Sequence, residues 1–452
     1  IFEIISLSRL PANLWKRPLR SIQSFRQIFC LQRLWRMALA TIPYAASPLL
    51  TPHCRRKVHS VISCQIDIVK AKQAPESTPS PAKLRIKIAG AWDALMRWSQ
   101  RKSSYVSTSR RSSEAWAGVR KVVVFGGGSF GTAMGSILAL QKSELEVVLL
   151  LRDEQLSSDI NVKHMNSKYL QGCSLPHNVR ATTNVAEAIS GAQYAVHAVP
   201  VQSSRAFLHG IKDVLPPTTP LLCVSKGLEV TTGSMMSELI PSALGRCQPV
   251  VFLSGPSFAK EVLEKQPTGL VAASTDLQLA NTVQALLSSP AMRVNTTSDV
   301  VGIETCGALK NVLAIGAGII QGLGLGQNAL AAFIVQGCSE IRYLVEAQGG
   351  KASTINGLGG IGDICLTCYG SLSRNRSVGV RLGQGEQLQD ILASSSQVAE
   401  GVATAAVVVL LARRFRVSLP VLTGIAQILE GNISCEEAVN EIMGLPQIQG
   451  EA

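Results

Sequence analysis

Residues 121–140 read KVVVFGGGSFGTAMGSILAL. Val122–Phe125 is an unbroken apolar run, Gly126-x-Gly128-x-x-Gly131 follows it, and Thr132 to Leu140 is apolar and helix-compatible. Strand, tight turn and helix in that order give each glycine a task. Gly126 turns the chain off the strand, Gly128 leaves room for a pyrophosphate against the backbone, and Gly131 lets the helix pack close to the strand. The helix N-terminus then offers free N–H groups and the positive end of its dipole to phosphate oxygens. The stretch reads as a dinucleotide-binding unit.

Working outward, Leu145–Leu151 (LEVVLLL) is a second buried strand ending at Arg152-Asp153. An acid there binds the adenosine ribose hydroxyls of NAD, whereas an arginine meets the extra phosphate of NADP. Both residue types are present, so the cofactor stays open between the two. Tyr194–Val199, Leu221–Val224, Val250–Leu253, Leu270–Ala273 and Met292–Asn295 read as further strands. Regular β/α alternation predicts a doubly wound, mostly parallel sheet. His197, inside a strand, reads as a packed residue. Lys226, in the Ser225-Lys226-Gly227 turn at a strand's carboxyl end, points into the ligand crevice of such a sheet. Ser254-Gly255-Pro256-Ser257 ends another strand with donors suited to a phosphate or carbonyl oxygen.

From about residue 300 the pattern becomes helical. In Cys306–Leu325 the only charge is Lys310. Burial of an ammonium is costly and lowers its pKa toward the proton-transfer range, so Lys310 is the candidate catalytic acid/base. Glycines 316, 318, 322 and 324 predict tight helix packing rather than a membrane helix. Gly357–Tyr369 reads as a glycine-rich loop carrying one acid, Asp363. The run Ser373-Arg374-Asn375-Arg376 then supplies a dense set of donors, in which Arg374 can grip a phosphate in bidentate fashion. Gln397 to Gly401 adds a polar cluster that includes Glu400.

Charge is unevenly spread. Residues 1–115 hold 20 Lys/Arg against 5 Asp/Glu, while the remainder holds 23 against 25. The basic excess lies in the leader, so no nucleic-acid partner is expected. Residues 1–117, rich in Arg, Ser and Ala and poor in acids, read as a disordered leader of transit-peptide composition, with Met37 the expected start. The leader has no apolar run long enough to span a membrane. The 11 cysteines show neither disulfide-framework nor zinc spacing, which fits a reducing compartment. Cys365 and Cys368 read as packing thiols, and no metal site is expected.

The ordered motifs GGGSFGTA (126–133), SKGLE (225–229), SGPSFA (254–259), ALKN (308–311), GDICLTC (362–368) and SRNR (373–376) resemble those of NAD(P)-dependent glycerol-3-phosphate dehydrogenases. The resemblance covers residues of about 120 to 450, and with the leader it is closest to the plastid form of plants and algae. It implies a Rossmann domain (118–300) followed by an all-α C-terminal domain (301–450) with the active site between them. It further implies reversible hydride transfer between NAD(P)H and dihydroxyacetone phosphate, giving sn-glycerol 3-phosphate for glycerolipid synthesis. By resemblance Lys310 is the general acid/base. Lys226, Gly255, Ser257, Lys310, Asp363, Ser373, Arg374 and Asn375 fall on substrate positions. Ser129, Phe130, Arg152, Lys226, Ala259, Arg374 and Glu400 fall on cofactor positions, beside Gly126, Gly128 and Gly131. Leu149 to Asp153 matches neither cofactor class of the family. The reading leans to NAD with NADP tolerated.

Two alternatives differ in what they require. A related 3-hydroxyacid-type dehydrogenase shares the architecture but not the SRNR and GDICLTC pair, which suits a small phosphorylated ketone. A non-catalytic nucleotide sensor would lack Lys310 or Asp363. A homodimer in the chloroplast stroma is the expected state, with the cytoplasm as the alternative location.

Overall fold

The computed structural model describes residues 116–395 and 398–444. The leader up to residue 115 and Gln397 lie outside the described residues. The described chain opens with strand β1 (Lys121–Phe125), followed by α1 (Ser129–Gln141), β2 (Glu146–Leu150), α2 (Glu154–Lys163), β3 (Val179–Thr182), α3 (Val185–Ile189), β4 (Tyr194–His197) and α4 (Val201–Ile211). Next come β5 (Leu221–Cys223), α5 (Met236–Leu244), β6 (Val250–Ser254), α6 (Ala259–Leu263), β7 (Thr268–Ala273), α7 (Leu277–Leu287) and β8 (Met292–Thr297). These strands form one sheet in the order β3-β2-β1-β4-β5-β6-β7-β8, parallel except where β6 meets β7.

Both faces of the sheet are covered, which is why inner strands such as β1 and β2 are continuous apolar runs, whereas the edge strands β3 and β8 carry polar residues. Along β1, Val122 and Val124 enter one core, while Val123 and Phe125 enter the core on the opposite face. Ahead of β1, Trp116 and Val119 pack into the first of these. Strand order reverses at β1, which lies between β2 and β4. A ligand crevice therefore opens beyond the carboxyl ends of β1 and β4. The sequence reading passed over β3. It is only four residues long and carries Arg180, so no apolar run marks it.

After the sheet the chain is helical. It runs through α8 (Val300–Gly322), α9 (Gln327–Ala347), α10 (Asp363–Tyr369), α11 (Arg374–Gly383), α12 (Leu388–Ala393), α13 (Glu400–Phe415), α14 (Pro420–Glu430) and α15 (Cys435–Met443). The central helix α8 starts with Asp299, whose Oδ1 accepts the Gly302 amide at 3.0 Å. Its mean hydropathy of 1.4 and its length would allow a membrane crossing, but 94% of the apolar window is buried inside the fold. It is the core helix of this domain.

Helix α11 lies almost in backbone contact with α8. A Cβ on Gly379 would stand 1.9 Å from the Ile315 carbonyl oxygen, and one on Gly318 would stand 2.1 Å from that of Arg376. Only hydrogen at both positions permits this approach, and it brings the start of α11 to the middle of α8.

One expectation is corrected here. Gly357–Tyr369 is not a loop throughout: after the glycines, Asp363 begins α10 and is 1% exposed. Four residues on, Thr367 therefore faces the same side.

Candidate active site

The glycine turn connects β1 to α1. Gly126 has φ +108°, and a Cβ there would meet the Ala198 carbonyl oxygen at 2.7 Å. At Gly131 a Cβ would meet the Gly126 carbonyl oxygen at 2.3 Å. At Gly128 the same position is open, with no atom within 4 Å. Helix α1 has no side-chain cap, and its first amides are the donors that a helix cannot satisfy internally. An open backbone beneath an uncapped, positively polarised helix end is suited to a pyrophosphate. Phe130 and Ala259 border this region, packed against the same core.

A second group is built from side chains. The Asp363 carboxylate receives Lys310 Nζ at 2.6 Å on Oδ1 and Lys226 Nζ at 2.7 Å on Oδ2. Lys226 comes from the turn after β5, Lys310 from mid-α8 and Asp363 from the first turn of α10. Lys310 also donates to Thr367 Oγ1 at 3.0 Å, and that hydroxyl donates to the Asp363 carbonyl at 2.6 Å. Ser254 Oγ and the Gly255 amide approach Asp363 Oδ2 at 3.4 Å. Ser257 Oγ donates to the Gly255 carbonyl at 3.0 Å.

Burial lowers the Lys310 pKa to about 8, with the Asp363 carboxylate opposing that shift and the Lys226 ammonium adding to it. Burial pushes Asp363 upward, but the two ammoniums outweigh it and hold the carboxyl below its ordinary value. The group as a whole is a buried carboxylate that orients one ammonium able to exchange its proton near neutrality.

A third group adjoins the second through Asn311, the neighbour of Lys310. Asn375 Nδ2 donates to Asn311 Oδ1 at 3.0 Å, and Asn375 Oδ1 accepts the Gly401 amide at 3.0 Å. Ser373 caps α11 by accepting the Arg376 amide. Arg374 donates to the Val398 carbonyl at 2.9 Å, and burial lowers its pKa. Arg376 turns away to Gln321. Glu400 is raised by burial, and among the described residues its Oε2 has no partner. A Cβ on Gly227 would lie 3.6 Å from that oxygen, so the group closes against the Lys226 turn.

The model of the NAD-dependent glycerol-3-phosphate dehydrogenase N-terminus matches residues 121–280, and that of the C-terminus matches residues 299–440. The chloroplastic glycerol-3-phosphate dehydrogenase [NAD(+)] of Oryza sativa subsp. japonica is 51% identical over 361 residues, covering 79% of this chain and 81% of that protein. The chain belongs to the NAD-dependent glycerol-3-phosphate dehydrogenase family. Its Arabidopsis thaliana relative, glycerol-3-phosphate dehydrogenase [NAD(+)] 2, chloroplastic, is 53% identical over 360 residues, covering 79% and 84%. A crystal structure of glycerol-3-phosphate dehydrogenase from Coxiella burnetii shares 30% identity and a TM-score of 0.69, covering 72% of this chain and 99% of that one.

As a glycerol-3-phosphate dehydrogenase family member, the chain is an oxidoreductase with NAD as cofactor, and the cradle at Gly128 fits that cofactor's pyrophosphate. Lys226, Gly255, Ser257, Lys310 and Asp363 come together, Ser373, Arg374, Asn375 and Glu400 adjoin them, and Ser129, Phe130 and Ala259 border the glycine turn. Arg152 stands apart, exposed and without a hydrogen bond or ion pair among the described residues. His197 is fully buried and donates to or accepts from Ser204 at 2.9 Å. Burial lowers its pKa to about 4. Cys368 is buried and Cys365 exposed.

Thr367 has no role in the sequence-based expectations, and Ser254, expected as a donor to a phosphate or carbonyl oxygen, instead approaches Asp363. The i, i+4 spacing of Asp363 and Thr367 was the available signal for the first, hidden by the preceding glycines.

Proposed function

We propose that this enzyme interconverts dihydroxyacetone phosphate and sn-glycerol 3-phosphate, with Lys310 as the proton donor and acceptor at the reacting oxygen. The observation carrying the reading is the buried Asp363 carboxylate that grips the ammoniums of Lys310 and Lys226 at 2.6 and 2.7 Å. A nicotinamide dinucleotide held at the glycine turn would supply the hydride to, or accept it from, the substrate's reacting carbon. As hydride reaches carbon, negative charge builds on the carbonyl oxygen; the Lys310 ammonium stabilises that charge and gives up its proton, so the alcohol forms. In the reverse direction neutral Lys310 takes the hydroxyl proton. Asp363 and Thr367 hold Nζ in one orientation. The substrate is a dianion, and Lys226, Arg374 and the donors at Ser373 and Asn375 are the groups we assign to it, with Gly255 and Ser257 at the rim. Gly126, Gly128, Ser129, Phe130, Gly131, Arg152, Ala259 and Glu400 are assigned to the nucleotide, together with Lys226 and Arg374, which it shares with the substrate.

We take residues 118–300 as the nucleotide domain and 301–450 as the catalytic domain, supported by the change from sheet to helices at α8. The two chloroplastic relatives and the basic leader support a plastid location, in the stroma, with supply of glycerolipid synthesis as the role and a homodimer as the working unit.

The test follows oxidation of NADH, then of NADPH, by the full chain with dihydroxyacetone phosphate, beside Lys310→Ala. Turnover should fall by about 10²–10⁴-fold in the variant. Because the proton donor is the ammonium, the wild-type reduction rate should fall as pH rises through about 8. No turnover by a folded chain that still binds nucleotide would overturn the substrate assignment.

A further inference from the structure

At the carboxyl end of β2, where a dinucleotide-binding sheet reads the adenosine ribose, four charged residues meet: Arg152, Asp153, Glu154 and Lys168. Asp153 is the residue placed to accept ribose hydroxyls, yet both of its oxygens are engaged. Oδ1 accepts the Leu156 amide at 3.0 Å as the cap of α2, and Oδ2 accepts Lys168 Nζ at 2.9 Å. The first of these bonds, then the second, holds the carboxyl below its ordinary value. Arg152 beside it is exposed and free of partners among the described residues.

Lys168 is not a loose surface lysine. The residues around it are bolted to the glycine turn. Asn166, fully buried, donates through Nδ2 to the Gly127 carbonyl at 2.9 Å and to Thr132 Oγ1 at 2.8 Å. Its Oδ1 accepts the Tyr169 amide at 3.0 Å, and Ser129 Oγ donates to the Tyr169 carbonyl at 3.1 Å. The backbone that binds pyrophosphate and the backbone that carries Lys168 are therefore one unit.

We propose that Lys168 sets the nucleotide selectivity of this enzyme: by compensating Asp153 beside Arg152, it lets the site take a dinucleotide phosphorylated on the adenosine 2′ hydroxyl as well as the unphosphorylated one. With Lys168 the four residues are formally neutral and Arg152 faces the phosphate unopposed. Without it they carry a net negative charge, and the freed carboxylate repels a phosphate while accepting ribose hydroxyls. The inference rests on the nucleotide cleft assigned above.

The experiment titrates the full chain with NADH and separately with NADPH, in the absence of substrate, reading the fluorescence of the reduced nicotinamide. Lys168→Ala should weaken NADPH by about tenfold, because the freed Asp153 carboxylate then repels the 2′ phosphate, and leave NADH within about twofold. Lys168→Arg should keep the wild-type ratio, and adding Asp153→Asn to Lys168→Ala should recover part of the NADPH affinity. Lys168 and Asp153 are 54% and 38% exposed, and exposed pairs contribute little to stability, so the unfolding midpoint should not move. Equal weakening of both nucleotides, or no change in either, overturns the assignment to Lys168. Wild-type chain that binds neither nucleotide overturns the cleft itself, and this inference with it.

Discussion

The glycine turn and the Lys226–Asp363–Lys310 group solve opposite problems with opposite materials. At the turn, backbone does the binding: the approach to phosphate is open because Gly128 carries nothing, and the turn closes because hydrogen is all that fits between Gly131 and the Gly126 carbonyl. In the buried group, side chains do everything. One carboxylate, 1% exposed, holds two ammoniums in a region where a lone charge would be expelled. The first region should tolerate changes of side-chain chemistry nearby and fail on the addition of a methyl group. The second should tolerate small changes of volume and fail on the loss of a charge.

Asp363→Asn is the sharpest way to break that contrast. The volume is nearly unchanged, but the buried Lys310 ammonium and the partly buried Lys226 ammonium lose their shared partner. Removing one member of a buried ion pair costs about 3–5 kcal/mol, so the denaturant midpoint should drop strongly. Lys310 loses the carboxylate that raises its pKa and keeps the Lys226 ammonium that lowers it, so its pKa moves below about 8. The pH at which the reduction rate declines should move down with it, and kcat should fall about 100-fold or more. Acid stability checks the same carboxylate. A depressed pKa contributes stability above the ordinary value of 3.8 that is lost as pH falls through the folded value, and the variant should lack that loss. NADH affinity should change little. An Asp363→Asn protein with wild-type turnover would sink the assignment of this group to proton transfer.

Gly131→Ala probes the other region. The added Cβ would lie 2.3 Å from the Gly126 oxygen and 3.0 Å from the Ala198 Cβ, so the turn must shift. Overpacking of this kind costs about 1–3 kcal/mol, and carried into binding it weakens NADH roughly tenfold or more. Turnover at saturating nucleotide should fall far less, and the decline near pH 8 should stay in place. If Gly131→Ala moved that pH instead of the nucleotide affinity, the two regions would not be separable in the way described.

The two regions also differ in how far they can be read in advance. The turn is local: an apolar strand, three glycines at fixed spacing and a helix lie within some 20 residues, so sterics alone dictate the outcome. Lys310 is partly legible, because a single charge inside an apolar helix announces a buried ammonium. Its partner is not. Lys226 and Asp363 are 137 residues apart, and nothing in either neighbourhood specifies the other. The glycines before Asp363 masked the start of α10 and so concealed Thr367. Arg152 and Asp153 were ambiguous for a similar reason. The cap to Leu156 could be anticipated from spacing, but the Lys168 bond depends on a loop that returns to the glycine turn through Asn166. Strand β3 went unread because four half-polar residues give no periodic signal.

Thr367→Val is the mildest change and the most discriminating within the buried group. Valine fills the same space but removes the hydroxyl that accepts from Lys310 at 3.0 Å and donates to the Asp363 carbonyl at 2.6 Å. The carboxylate and both ammoniums remain, so the fold should hold. What is lost is one of two restraints on the direction of Nζ. A hydrogen bond to a charged group is worth about 1.5–3 kcal/mol, and an ammonium free to swing wastes part of its alignment with the reacting oxygen. A kcat reduced about tenfold with KM for dihydroxyacetone phosphate nearly unchanged is therefore expected, and Thr367→Ser should restore most of the rate. If valine supported the full rate, Asp363 alone would suffice to aim the lysine, and the orienting role would pass from a pair of residues to a single carboxylate.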